Sequence, residues 1–141
     1  MTTYSGLSPV NSASLGTTFA DKGLLVKRNG ANIEITTGKA DVAIAVTIDE
    51  SSRDAAGNLD AAADATVSVV GLDGVQLIKC KGGGALTIGE SLYVHEPTSA
   101  AENGWVHTTS TGAKFVGYYM GESITPAAGD LIPVLCRNVV A

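Results

Sequence analysis

The chain has 141 residues, of which 45% are hydrophobic and only 16% charged: enough for one domain with a real core and too few for two ordinary ones. So small a charged share excludes a disordered acidic chain and points to surface that is not made for water. A net charge of −5, with only Lys27 and Arg28 adjacent among the basic residues, argues against a nucleic-acid partner, because phosphate binding needs a Lys/Arg surplus.

Residues 1–22 read as an arm. Ser, Thr, Gly and Asn dominate, Pro9 interrupts, and Tyr4, Leu7, Val10, Leu15 and Phe19 follow no sustained period, so the segment cannot build a core of its own. It is either a frayed tail or an extended arm that orders against a neighbouring subunit or a larger surface. It lacks the charged and apolar regions of a signal peptide, and no apolar run approaches the ~20 residues that span a bilayer, so no membrane partner is expected.

From Lys22 onward the pattern is strand after strand. "GLLVKR" (23–28) and "NIEIT" (32–36) flank an Asn-Gly hairpin signal. "DVAIAVTI" (41–48) alternates, which predicts Val42, Ile44, Val46 and Ile48 on one packed face. The Asp/Ala-rich residues 49–65 break the pattern and are expected to form an exposed excursion, and their spacing does not fit a calcium loop. "TVSVVG" (66–71) and "VQLIKC" (75–80) are joined by an Asp-Gly turn, and "SLYVHE" (91–96), "GWVHTT" (104–109), "KFVGYYMG" (114–121) and "DLIPVLCRNVV" (130–140) follow. No convincing long helix interrupts them. The expected fold is all-β, a small β-barrel or sandwich of short strands over residues 23–141 with an extended N-terminal arm.

Chemistry is hard to find. His95 and His107 sit at the edges of neighbouring strands, but no spacing supplies the ligands of a metal site, and exposed loop-edge histidines are the simpler expectation. Cys80 and Cys136 lie in apolar runs and read as buried free thiols more readily than as one disulfide. Nucleophile-elbow and Walker motifs are absent, and "KGGGA" (81–85) joins two strands, so it offers no helix N-terminus to a phosphate. No enzyme, catalytic residue, metal or cofactor is expected.

Two features resist a bland reading. "DLIPVLC" is apolar on both faces, and "KFVGYYMG" places Phe115 and Tyr119 on one face with Val116, Tyr118 and Met120 on the other. Strands apolar on both faces are either doubly covered or sit against another subunit, which nominates Phe115, Tyr118, Tyr119, Leu131 and Leu135 for an oligomer interface. Pro133 should confine its strand to an edge or a bulge. The second feature is a repeated device: "ALTIGESLYV" and "SITPAAGDLIPV" each set a turn, a glycine, an acidic residue and an alternating run. Gly89-Glu90 matches Gly129-Asp130, with glycine easing the reversal and the carboxylate accepting from turn N–H groups.

The segment "DGVQLIKCKGGGALTIGESLYV" with "GWVHTTSTGAKFVGYYMGESITPAAGDLIPVLC" resembles the capsid cement, or head decoration, proteins of tailed bacteriophages. Gly89-Glu90 fills the family's first turn, Thr111, Gly112, Val116, Gly117 and Glu122 its middle strand, and Ala127, Ala128, Gly129 and Asp130 its closing turn. The likeness covers roughly residues 66–140, while residues 49–65 and the arm depart from the pattern. It implies a virion protein, made in the bacterial host cytoplasm, that binds the outer surface of the mature capsid and stabilises it. The implied partners are the major capsid protein lattice and further copies of itself, as a homotrimer. On this expectation Tyr4, Leu7, Val10, Leu15 and Phe19 touch the shell or a neighbour. The alternative is a tail, neck or head-fibre β-domain that adheres to a host surface or glycan, with Trp105 and Tyr93 as its platform.

Overall fold

Short alternating runs between glycine turns produce an all-β protein. A computed structural model describes residues 7–11, 21–30, 32–49, 55–58 and 66–136. Its strands are β1 (Leu7–Asn11), β2 (Leu25–Asn29), β3 (Asn32–Ile35), β4 (Ala45–Thr47), β5 (Thr66–Gly71), β6 (Gly74–Lys79), β7 (Ser91–Val94), β8 (Val106–His107), β9 (Phe115–Tyr119) and β10 (Leu131–Cys136). Among the described residues the one helical element is a 3₁₀ turn over Ala100–Glu102.

The strands form two antiparallel sheets, in the orders β1-β5-β4-β2-β3 and β6-β10-β9-β7-β8. Of the two architectures open at the outset, barrel or sandwich, a closed barrel is not formed. The second sheet curls until Cys80 meets Val106, but that contact is an isolated bridge rather than a ladder. The chain before β2 ties the sheets together: Gly23 N–H donates to the Thr47 carbonyl (2.7 Å), and the Gly23 carbonyl accepts from Lys79 N–H (2.8 Å). Gly23 has φ +77, and a Cβ there would run into the Leu131 side chain, so the junction requires glycine.

The main core lies between the sheets. Leu25, Val46 and Val70 of the first sheet meet Ile78, Leu92, Val94, Val106, Val116, Tyr119, Ile132 and Val134 of the second. Each fully buried aliphatic side chain contributes about 1.5–3 kcal/mol. The first sheet also buries its other face, where Val26, Ile33, Ala45, Val67 and Val69 form a second cluster.

Several local expectations change. β2 and β3 form the expected hairpin, with Gly30 at φ 63. The Asp73-Gly74 turn, by contrast, makes no hairpin: β5 and β6 belong to different sheets, and Gly74 at φ 72 turns the chain from one to the other. In "DVAIAVTI" only residues 45–47 are in the ladder, because β2 and β5 pair no further. Val46 is buried, while Val42, Ile44 and Ile48 stay exposed (58%, 46% and 40%). Asp41 explains where that strand fails to begin: its Oδ2 accepts from the N–H groups of Thr37 (2.8 Å) and Gly38 (3.0 Å), bending residues 37–41 into a turn.

Pro133 is not on an edge strand, since β10 runs between β6 and β9. Its backbone faces β9 beyond Tyr119, where that strand ends and the Pro133 carbonyl accepts from Met120 N–H (3.0 Å). The missing donor therefore costs little of the ladder. Residues 49–65, expected as an exposed excursion, are described only at 55–58, which are exposed, and at Asp49, also exposed.

Candidate functional site

The outer face of the second sheet carries a continuous apolar surface. Cross-strand register sets Tyr93 beside Phe115, Tyr118 beside Leu135, Leu135 beside Val75, and Pro133 beside Leu77. The Tyr93 and Phe115 rings meet edge-on at 5.8 Å, and the Phe115 and Tyr118 rings at 5.2 Å. Aromatic pairs of this geometry add about 0.5–1.5 kcal/mol beyond their burial. The surface opens at β6, where Val75 and Leu77 are each 55% exposed, and past the end of β9, where Met120 is 39% exposed.

A bulge in β9 decides which aromatic residues reach this face. Leu92 pairs with Gly117, yet the next residue, Tyr93, pairs with Phe115, so Val116 is the extra residue. The alternation resets there, and Val116 and Gly117 both turn inward. Gly117 is required because a Cβ would overlap the Leu135 carbonyl oxygen. The expectation that Phe115 and Tyr119 share a face is thereby overturned. Phe115 and Tyr118 lie outside together, half-buried, while Tyr119 is 1% exposed in the core and donates its hydroxyl to the Glu122 carbonyl. Tyr119, nominated for the interface, packs instead in the core of its own chain. Phe115, Tyr118 and Leu135 come together on the outer face, while Leu131 lies further along β10, beside Lys79 and against Gly23.

Of the arm residues, Leu7 and Val10 fall on β1, which pairs with β5 of its own chain through Leu7↔Val70 and Val10↔Val67. Tyr4, Leu15 and Phe19 lie outside the described residues.

The two turns share one hydrogen-bond pattern. Glu90 N–H donates to the Thr87 carbonyl and its carboxylate accepts from Thr87 N–H (3.3 Å) and Oγ1 (3.1 Å). Asp130 N–H donates to the Ala127 carbonyl and its carboxylate accepts from Ala127 N–H (2.9 Å). Gly89 (φ 90) and Gly129 (φ 86) precede them, and the strands that follow, β7 and β10, enter the same sheet.

Beside the aromatic row lies a polar cluster. His95 is buried, contrary to the expected exposed histidine, and its Nε2 donates to Glu102 Oε1 (2.7 Å). Glu102 Oε2 also pairs with Lys81 Nζ (3.0 Å), and Thr98 donates to the same carboxylate. The His95 hydrogen bond, then that of Lys81, hold the Glu102 carboxyl down at about 2. His107 packs edge-on to His95 at 5.5 Å, and burial, then the neighbouring His95 and Lys81, lower its pKa. Trp105 stacks along His95 at 6.4 Å, which gives that indole a packing role. Glu102 is thus committed to one histidine and one lysine. Among the described residues no group of three His, Cys, Asp or Glu side chains could hold a metal ion. Cys80 and Cys136 are both free and buried. Comparison with protein-family models, with curated proteins and with solved structures gives no match.

Sequence reasoning missed Val75 and Leu77 as surface residues. Their signal was present in "VQLIK", where Val75 and Leu77 alternate with Gln76 and Ile78, so that either face could be the buried one.

Proposed function

We propose that this chain is a structural virion protein that binds the outer surface of the mature capsid of a tailed bacteriophage and stabilises it. The observation that carries this is the apolar outer face from Tyr93 across Tyr118 and Leu135 to Val75 and Leu77, a surface of the kind that marks association with another protein. The paired Gly89-Glu90 and Gly129-Asp130 turns, which frame the strands of that sheet, support it through the family resemblance. The partners are the major capsid protein lattice and other copies of the chain, assembled as a homotrimer, with the net charge of −5 disfavouring nucleic acid. Phe115, Tyr118, Leu131 and Leu135 supply the subunit contact, and the arm residues Tyr4, Leu7, Val10, Leu15 and Phe19 a second contact to the shell. Many weak contacts on one lattice reinforce each other by multivalency. The role requires no reaction and no cofactor.

The test is DNA retention on heating. Virions lacking this protein are expected to release their genome at a lower temperature than complete virions, and purified protein added back should restore the difference. Equal release temperatures would remove the stabilising role and turn attention to adhesion, with Trp105 and Tyr93 as the first residues to replace.

A further inference from the structure

Between β8 and β9 the chain makes an exposed turn. Thr108, Thr109, Ser110, Thr111 and Gly112 are all exposed, while His107 at its entry is half-buried. Among the described residues the hydrogen bonds of this turn are local: Thr109 Oγ1 bonds His107 Nδ1 (2.9 Å), and Ala113 N–H donates to the Ser110 carbonyl (3.0 Å). Its far end is held by backbone, where Lys114 N–H donates to the Lys39 carbonyl (2.8 Å). At the near end the His107 ring is the pin.

That ring borders a hollow of about 210 Å³ shared with Lys39, Val94, His95, Glu96 and Thr109. His95, past the end of β7, meets it edge-on at 5.5 Å. Lys81, past the end of β6, and His95 share the Glu102 carboxylate (3.0 and 2.7 Å), which Thr98 also bonds. Lys39 reaches over the turn from the first sheet's side, so that a Cβ on Gly112 would stand 3.7 Å from its Nζ. Glu96 is exposed, and its Oε2 accepts from Lys39 N–H (2.8 Å). Tyr93 is the cross-strand partner of His107, and Cys80 lines a small cavity that His107 also borders. Among the described residues no carboxylate pairs with His107.

We propose that His107 is an acid-sensitive latch: once protonated, its ring leaves the hollow and the turn Thr108–Gly112 swings free, while both sheets stay folded. An imidazolium at this position would stand beside His95 and Lys81 with no carboxylate of its own. Burial, then His95 and Lys81, already hold the His107 pKa below the usual 6.5. A histidine depressed by folding contributes stability that is full above 6.5 and is lost as pH falls through its own lower value. The Thr109 hydroxyl accepts from a protonated Nδ1 as readily as it donates to a bare one, so ring and turn leave together. The opening stops at Val106, which is 0% exposed, and at Gly104, whose N–H donates to the Thr36 carbonyl (3.0 Å) and whose carbonyl accepts from Leu25 N–H (2.8 Å). Departure of the ring uncovers the flank of Tyr93, its register partner and the first ring of the aromatic row, so acid enlarges the apolar outer face. The latch stands whether or not that face meets a capsid.

Backbone amide NMR relaxation of the full chain tests it, at about pH 7 and about pH 5, on either side of the histidine range. In the native protein the order parameters of Thr108–Gly112 should fall from a rigid ~0.85 to below ~0.6 on acidification, with those of β9 and β10 unchanged. His107→Gln keeps a polar side chain that takes up no proton, so its turn should give the same values at both acidities, whatever those values are. Native order parameters that do not change, a fall that spreads through β9 and β10, or an equal fall in His107→Gln each overturn the latch.

Discussion

The bulge at Val116-Gly117 makes neighbouring tyrosines opposite in kind, and the difference is measurable. Tyr119→Ala removes a ring that is 1% exposed and packed among Val116, Ile132 and Val134, together with the hydroxyl that donates to Glu122. Truncating a buried aromatic to alanine costs about 3–5 kcal/mol, transfer and cavity terms combined. At about 2–4 °C per kcal/mol for a chain near this size, the melting temperature should fall by roughly 6–20 °C. Tyr118→Ala removes a half-buried ring from the outer face, where water fills the space, and loses the edge-on contact with Phe115. Its cost should stay near ~1–2 kcal/mol, from the smaller area uncovered and one aromatic pair. Urea unfolding of both variants, monitored by Trp105 fluorescence, gives the two values directly. Equal losses, or a larger loss at Tyr118, would refute the inward phase of Tyr119 and with it the composition of the outer face.

Acid should act through Glu102. Its folded-state carboxyl is depressed from 4.5 to about 2, so the stability it contributes is full above about 4.5 and is lost as pH falls toward 2. Glu102→Gln should flatten that part of the stability–pH curve in urea titrations, and an unchanged acid limb would count against the His95–Glu102–Lys81 cluster. Gly82→Ala should lose at least ~2 kcal/mol, because Gly82 has φ +68 and a new Cβ would lie within 2.7 Å of the Pro126 and Ala127 backbone. Gly83→Ala, with φ +83 but open space around it, should lose only ~1–2 kcal/mol in the same melts. Burial raises the pKa of both thiols, that of Cys136 to about 11, so a thiol reagent should label neither in the native protein and both in denaturant. Rapid native labelling would contradict their burial.

Much of the fold was legible because period-2 runs and glycine turns are local signals. Asn29-Gly30 announced its hairpin, and the Gly89-Glu90 and Gly129-Asp130 turns announced two strand entries. Sheet membership was not legible. "LDG" has the chemistry of a hairpin turn, but Val70 of β5 and Ile78 of β6 face one core from opposite sheets. The phase of β9 was hidden because a bulge shifts alternation by one residue, and in "KFVGYYMG" both faces are apolar enough to accept either phase. His95 looked exposed because its partner, Glu102, approaches through a 3₁₀ turn that no periodicity marks. The outer face itself was half-visible: Phe115, Tyr118, Leu131 and Leu135 were nominated from two-faced apolarity, while Val75 and Leu77 needed the register of β6 on β10.

Co-sedimentation with undecorated capsids, immature and expanded, tests the proposed role most directly. Saturable binding to expanded shells alone, weakened by charged substitution at Tyr118 or Leu135 in folded protein, is the expected result. No binding to either shell, or binding indifferent to those substitutions, would contradict capsid decoration through this face.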